Sequence, residues 1–386
     1  MQIPFNKPYL TGNETKYIEQ AVLSGKISGN GMFTQKCQRF FEKRYGFKKC
    51  LLTTSCTDAL EMAAILCDIK QGDEVIIPSY TFVSTALAFV RQGAVIVFAD
   101  SQSDNPNIDV KQIETLITPK TKVIVPVHYA GVACNMQEIM KLANKFNLLV
   151  VEDAAQGVDS YYKPTALQLI CESYALGSIG HMATFSFHET KNIISGEGGM
   201  LAINDDRFIN RAEIIWEKGT NRVEFFRGEV NKYSWVDIGS SFLPSEVIAA
   251  FLWAQIEHID EIQNQRKQIW NEYYVGLKPL ADKRNFSLPI IPNFATNNAH
   301  MFYLICNSID DRSKFIAFMK KHQILVVSHY LSLHSSLYYK EKHDGRMLSN
   351  CDRFADCIVR LPMYYELNKV DVLYIISIIK LYFRKS

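Results

Sequence analysis

Short, wholly apolar runs that recur along the first half of the chain constrain its fold more than any other feature. VIIP, AVIVFA, VIVPV and LLVVED are apolar on both alternating sets of positions, the pattern of strands covered on both faces. Such runs, near 50–53, 74–78, 94–99, 122–127 and 148–152, alternate with helical stretches near 57–69, 82–92, 109–117 and 135–147. Strands separated by single helices are the signature of βαβ units, so the spacing predicts a mainly parallel sheet with helices on both sides. Two amphipathic helices precede it, over 13–24 and 34–45; the first ends at Gly25, the second starts at a Thr34 cap and ends at Gly46. After Glu152, strands are expected at 182–187 and 199–204, with helices near 205–217 and 244–278. The turn-rich stretch 279–298 marks a boundary between residues 1–278 and 279–386. Beyond it, a strand at 301–306, a helix at 310–322, a strand at 324–328 and late helices predict a smaller α+β unit.

Composition narrows the function. With 386 residues, 48% of them hydrophobic, the chain can bury the core of two or three domains. Lys+Arg of 42 against Asp+Glu of 40 leaves a formal charge of +2, too even for a broad nucleic-acid footprint. The nine cysteines, at 37, 50, 56, 67, 134, 171, 306, 351 and 357, form no CxxC pair and point to reduced thiols rather than a disulfide framework or a zinc site. No apolar run approaches the roughly 20 residues that span a bilayer, and the amino terminus lacks the apolar region of a signal peptide. The expectation is a soluble, cytoplasmic protein with no membrane partner.

Ligands of open α/β sheets bind beyond the carboxyl ends of the strands, so those ends are read first. In LLTTSCTDALEMAAI a strand runs into a helix start near Thr57, which is either a simple cap or a phosphate site made of free N–H groups and the helix dipole. VVEDAAQG puts Asp153 and Gln156 just past a buried strand, where the carboxylate needs a cationic or hydrogen-bonding partner: a structural ion pair or a ligand. ATFSFHETKN ends a strand at His188 and carries Lys191, which is a solvated charge or, if partly desolvated beside other cations, an amine able to attack a carbonyl. In SGEGGML, Gly196, Gly198 and Gly199 read as a close-approach turn beside the Lys191 loop and do not form a nucleotide fingerprint. A phosphate cradle, a buried acid and a carbonyl-trapping lysine together match what pyridoxal phosphate requires.

The ordered set TTSCTDAL, PSYTFVSTA, VPVHYAG, VVEDAAQG, TFSFHETKN and GEGG resembles the DegT/DnrJ/EryC1/StrS sugar aminotransferases, over nearly the whole chain from PFNKPYLTGNE to RLPMYYELN. The resemblance implies the type I (aspartate aminotransferase-like) α/β fold of pyridoxal-phosphate-dependent transferases. That fold has a mainly parallel seven-stranded sheet and a smaller carboxyl-terminal α+β domain. By the same resemblance Lys191 is the cofactor-bearing lysine, Asp153 the partner of the pyridine nitrogen and Gln156 the contact to the ring hydroxyl. Thr57, Asp58 and Ser186 match phosphate ligands. Phe82 matches an aromatic that stacks on the ring, or is a core phenylalanine, and His188 lies near the cofactor or in a second shell around it. Ser234, in KYSWVD, stands where relatives offer an asparagine to the phosphate from the other subunit of a homodimer whose sites lie at the interface.

Lys218, Arg222 and Arg227 in EKGTNRVEFFRG, with His329, Tyr330 and His334 in HYLSLH, are candidates to meet a diphosphate or sugar hydroxyl, the alternative for the loop cations being solvated charges. Stretches such as DEVIIPSYTFVSTA, FSFHETKN and EKGTNR are most similar to dTDP-4-keto-6-deoxyglucose transaminases of the enterobacterial common antigen type. That likeness implies transfer of an amino group from L-glutamate to dTDP-4-keto-6-deoxy-D-glucose, giving dTDP-4-amino-4,6-dideoxy-D-galactose for cell-surface polysaccharide (enterobacterial common antigen or O-antigen), with the cofactor cycling through pyridoxamine phosphate. Other readings are a transaminase acting at carbon 3 or giving the gluco configuration, and a regulatory protein that kept the fold. Sugar dehydratases of the family carry histidine at the lysine position, and nicotinamide dehydrogenases need a glycine fingerprint that this chain lacks. The loop around 163–178 is longer than in close relatives and adjoins the expected mouth of the site.

Overall fold

The computed structural model describes residues 2–164, 173–283 and 285–385, so the core of the long loop expected around 163–178 lies outside the described residues. Helices α1 (Glu14–Leu23) and α2 (Met32–Tyr45) lead into β1 (Lys49–Thr53) and α3 (Cys56–Leu66). The βαβ rhythm continues through β2 (Glu74–Pro78), α4 (Val83–Val90), β3 (Val95–Ala99), α5 (Val110–Leu116), β4 (Thr121–Ile124), α6 (Met136–Phe146) and β5 (Leu149–Asp153). A small hairpin, β6 (Tyr161–Tyr162) and β7 (Tyr174–Ala175), precedes β8 (Met182–Ser186) and β9 (Gly199–Ile203).

Seven strands form one sheet in the order β1-β9-β8-β5-β4-β2-β3, and β9 pairs antiparallel with both of its neighbours while the other pairings are parallel. All five residues of β8 and of β9 are buried, as the double covering of the sheet demands. The chain steps outward from β2 to β3 and returns to place β4 on the other side of β2. The loops after β2 and β4 therefore diverge and open a crevice at the carboxyl ends of the strands.

After β9 come α7 (Ile209–Trp216), α8 (Arg222–Phe226), α9 (Glu246–Ile256) and α10 (Ile259–Ala281). The expected single helix at 244–278 is thus two, broken at residues 257–258, and α10 runs past residue 278. The carboxyl-terminal part holds β10 (Tyr303–Ile305), α11 (Ile309–Lys321), β11 (Val327–Ser328), α12 (Ser349–Cys357), β12 (Ile358–Arg360) and α13 (Lys369–Lys385). Its three-stranded sheet has β12 in the middle, between β10 and β11. Tyr273 and Leu277 of α10 enter the same apolar cluster as Phe302, Leu304, Val359 and Ile375. No helix among the described residues is long and apolar enough to cross a membrane.

Local chemistry fixes most helix ends. Ser55 caps α3 by accepting the Asp58 N–H at 3.1 Å, and α2 closes on Gly46 at φ 77°. The start of α2 departs from expectation, because Thr34 is not its cap. The helix begins at Met32, and the Glu246 carboxylate of α9 accepts the N–H groups of Gly31 at 2.9 Å, Phe33 at 2.7 Å and Thr34 at 3.1 Å, together with the Thr34 hydroxyl. A carboxylate more than two hundred residues away does the work of a local cap, and it satisfies the orphan donors of a helix start that is buried. Replacing Glu246 with alanine strands these buried donors and should cost about 3 kcal/mol in denaturant unfolding, with Glu246→Gln losing less. A loss for Glu246→Ala under about 1 kcal/mol would mean that water takes over the cap.

Candidate functional site

A cavity of about 410 Å³ opens at the carboxyl ends of β1, β5 and β8, lined by Thr57, Phe82, Asp153, Gln156, Ser186, His188, Lys191, His329 and Tyr330. Nine positions singled out in the sequence are thereby brought together, and the volume is of the size that holds a cofactor with part of a substrate.

Asp153, the last residue of β5, is buried, and its two oxygens accept from the Thr85 hydroxyl at 2.7 Å and the Ala155 N–H at 3.1 Å. The Thr85 oxygen lies 2.9 Å from that of Thr81. Because Thr85 donates to the carboxylate, it accepts from Thr81, and the relay has a fixed direction. Burial pushes the Asp153 carboxyl above its ordinary value, while Thr85, Ala155 and the charge of Lys191 pull it back down.

Lys191 sits in a loop closed by backbone bonds from Phe187 to Gly198 at 2.8 Å, Glu189 to Gly196 at 2.8 Å and Ser195 to Phe187 at 2.7 Å. Burial holds its ammonium below the usual lysine range, and Asp153 acts in the opposite sense. Among the described residues no carboxylate forms an ion pair with it. The glycine turn is the expected close approach: a side chain on Gly199 would meet the backbone of Ser55 and Cys56 at 2.3–2.4 Å. Gly199 thus lets the Lys191 hairpin lie directly against the start of α3.

At that start the N–H groups of Cys56 and Thr57 have no helical acceptor, and the hydroxyls of Thr57 and Ser84 lie 2.7 Å apart on the cavity wall with Ser186. Gln156 accepts from the Ala130 N–H at 2.6 Å and donates to the Tyr330 hydroxyl at 3.1 Å. Phe82 is no core residue; it stands 55% exposed at the mouth, 6.0 Å from the Tyr330 ring. Tyr330 has φ 41°, a left-handed conformation costly for a large side chain. His329 stacks on Tyr330 at 3.6 Å and bonds the Tyr129 hydroxyl through Nδ1 at 2.8 Å. Burial holds His329 well below the usual imidazole range, so the ring is neutral. His188 bonds Thr190 at 2.9 Å, with Glu197 at 3.7 Å.

Other expected residues lie elsewhere. The Asp58 carboxylate accepts from Thr54 and does not line the cavity. Arg227 is tied to Glu213 at 2.5 Å and Glu229 at 2.8 Å along a separate groove. Lys218 is near Glu217 at 3.8 Å, Arg222 lies over Phe226 at 5.2 Å, and Ser234 is exposed with its N–H on Asn221. His334 bonds Ser79 at 2.8 Å, outside the cavity. In turn the cavity holds Thr85, His300 and Arg360, which sequence reasoning did not single out. Thr85 stands in the quoted stretch PSYTFVSTA, but nothing local marks its reach to Asp153.

These groups fit pyridoxal phosphate: donors for an anion at the start of α3, a buried acid for a ring nitrogen and an amine for an aldehyde, all on one cavity. Replacing Thr85 with valine removes a donor that lowers the Asp153 pKa, so the carboxyl rises further and is protonated at a higher pH. The pH below which apoprotein fails to take up pyridoxal phosphate should therefore move upward, with roughly tenfold weaker uptake at neutral pH. Spectrophotometric titration checks this, and an unmoved limb would remove Asp153 from the ring-nitrogen position.

Solved structures share the fold. An aminotransferase from Psychrobacter cryohalolentis superposes with TM-score 0.89 at 23% identity, covering 99% of each chain. A sugar aminotransferase from Streptococcus pneumoniae, in its PLP form, gives 0.86 at 24%, covering 98% of this chain and 97% of that one. By sequence, GDP-perosamine synthase of Caulobacter vibrioides is 33% identical over 298 residues, 77% of this chain and 74% of that protein. The spore coat polysaccharide biosynthesis protein SpsC of Bacillus subtilis is 28% identical over 382 residues, 96% and 94% of the two chains. The profile of one family matches residues 8–380. This chain belongs to the DegT/DnrJ/EryC1/StrS aminotransferase family, whose cofactor is pyridoxal phosphate.

Proposed function

We propose that the chain transfers the amino group of L-glutamate to the keto carbon of a nucleotide-linked keto sugar, dTDP-4-keto-6-deoxy-D-glucose, to give dTDP-4-amino-4,6-dideoxy-D-galactose. The observation that carries the reaction type is the juxtaposition of Lys191 and Asp153, both desolvated and not ion-paired, on one cavity. A second reading, a GDP-linked keto sugar, is favoured by the likeness to GDP-perosamine synthases of Caulobacter vibrioides and Escherichia coli O157:H7.

Thr57, Ser84, Ser186 and the start of α3 are the groups to hold the cofactor phosphate. Asp153 keeps a proton on the ring nitrogen, Gln156 meets the ring hydroxyl and Phe82 lies against the ring. Bound there, pyridoxal phosphate supplies an aldehyde for the donor's amine and a protonated ring that withdraws electrons from the reacting carbon. Lys191 Nζ, held below its ordinary pKa by burial, takes the proton from the donor's α-carbon and returns one to the sugar carbon. The sign follows from the shift: a lowered pKa leaves more of the amine neutral, and able to accept a proton, at neutral pH.

The working unit is a homodimer. Phe226, Tyr233, Trp235 and Ile238 are more than half exposed, Trp235 at 83%, in the segment that carries Ser234, Lys218 and Arg222. An apolar rim of this kind suits a second copy, which would bring those polar groups to the neighbouring cavity.

Borohydride treatment of the holoenzyme should leave one pyridoxyl label, on Lys191, and Lys191→Ala should lose both the label and amino transfer, the latter on the order of 10³-fold. Peptide mapping that finds the label on another lysine would end the assignment. For the substrate, the enzyme is incubated with L-glutamate and a panel of dTDP-, UDP- and GDP-linked keto sugars, and the product configuration is read by NMR. The dTDP-4-keto-6-deoxyglucose should be preferred; a GDP sugar preferred instead establishes the second reading, and no accepted sugar refutes both.

A further inference from the structure

Two arginines stand near the cavity, Arg266 buried and Arg360 half-buried, and they differ in one respect. Arg266 donates to the carbonyls of Ala299 at 3.1 Å and His300 at 2.7 Å. The side chain of Arg360, at the end of β12, makes no hydrogen bond or ion pair among the described residues; its buried Nε has no acceptor, and its guanidinium lies 4.7 Å from the Phe5 ring, with Tyr80, Tyr129 and Tyr330 nearby. A cation–π contact offsets only part of the cost of burying a guanidinium.

The topology aims this side chain at the site. On β12 the side chain of Val359 enters the carboxyl-terminal core, whereas Ile358 packs with the large-sheet cluster. Arg360, two residues from Ile358, shares its face and so lines the cavity with Lys191 and Asp153. Tyr80 and Tyr129 beside it use their hydroxyls on His329 at 2.9 Å and 2.8 Å, Lys191 and Arg266 are further cations, and Asp153 already accepts two hydrogen bonds.

An unbalanced guanidinium fork in such a pocket calls for a planar anion that arrives with the ligand. The amino donor has one, a carboxylate on the very carbon whose proton is moved. A 4-keto sugar has none there, since its diphosphate is attached across the ring from the reacting carbon. We propose that Arg360 binds the carboxylate adjacent to the donor's amino group and thereby sets the enzyme's choice of donor. This positioning role rests on the transaminase reading above.

The test separates the two half-reactions in the holoenzyme. For Arg360→Met, the concentration of L-glutamate that half-saturates conversion to the pyridoxamine form should rise on the order of 100-fold. Binding of glutarate, which carries both carboxylates of glutamate but cannot react, should weaken to a similar extent in calorimetry. The pyridoxamine form should react with the keto sugar at an unchanged rate, and cofactor binding should persist. Wild type should strongly prefer L-glutamate over 4-aminobutanoate, whose amine has no neighbouring carboxylate, and the variant should lose that preference. Arg360→Lys, which keeps the charge without the fork, should fall between and serves as the reporter if the methionine variant does not fold. Equal losses for both donors, a loss confined to the sugar half-reaction, or unchanged glutamate and glutarate binding would each overturn the inference. A wild-type enzyme that deaminates glutamate yet accepts no sugar refutes the sugar reading alone. One that fails to deaminate glutamate refutes the transaminase reading, and the glutarate titration then decides the carboxylate site.

Discussion

The site depends on keeping an acid and an amine in one cavity without letting them pair. Either charge alone is expensive to bury, and the simplest relief would be contact between them. Asp153 is held back by the Thr85 hydroxyl and the Ala155 N–H, which occupy its two oxygens from the α4 side and from its own turn. Lys191 is held by a hairpin bonded to itself, leaning on α3 across Gly199. Both groups therefore face the cavity without neutralising each other.

The same strand serves both faces of the sheet. Glu152, beside Asp153, accepts from the N–H groups of Gly177 at 2.9 Å, Ile179 at 2.8 Å and Gly180 at 2.5 Å. His128 Nδ1 accepts the Cys134 N–H at 3.1 Å, so its proton sits on Nε2 and is donated to Glu152 at 2.8 Å. This satisfied carboxylate pins the loops after β4 and β7 to β5, and with them the height of Asp153 in the cavity.

Much of this was legible in the sequence because strand ends carry their chemistry next to their apolar runs. Asp153 and Ser186 end their strands, Lys191 stands in the loop after the second of them, and Thr57 lies in the first turn of a helix that follows another. What the sequence hid is contact across long separations. Thr85 reaches Asp153 over 68 positions and Glu246 reaches Gly31 over 215. Arg360 could not be placed because β12 is three residues long and its neighbours in the sheet lie far back in the chain. Arg227, Lys218 and Arg222 read as substrate groups because a basic loop looks alike whether its cations are free or, as for Arg227, already matched by glutamates.

The hairpin carrying Lys191 is clamped by main-chain bonds at both its ends, whereas Phe82 and the adjacent His329 and Tyr330 reach the cavity from two other loops. Amine and rim are thus anchored independently. The place of the Lys191 amine is set by main-chain bonds that a side-chain substitution leaves intact, while the rim rests on side chains. The mouth can therefore change shape while the amine keeps its station against α3.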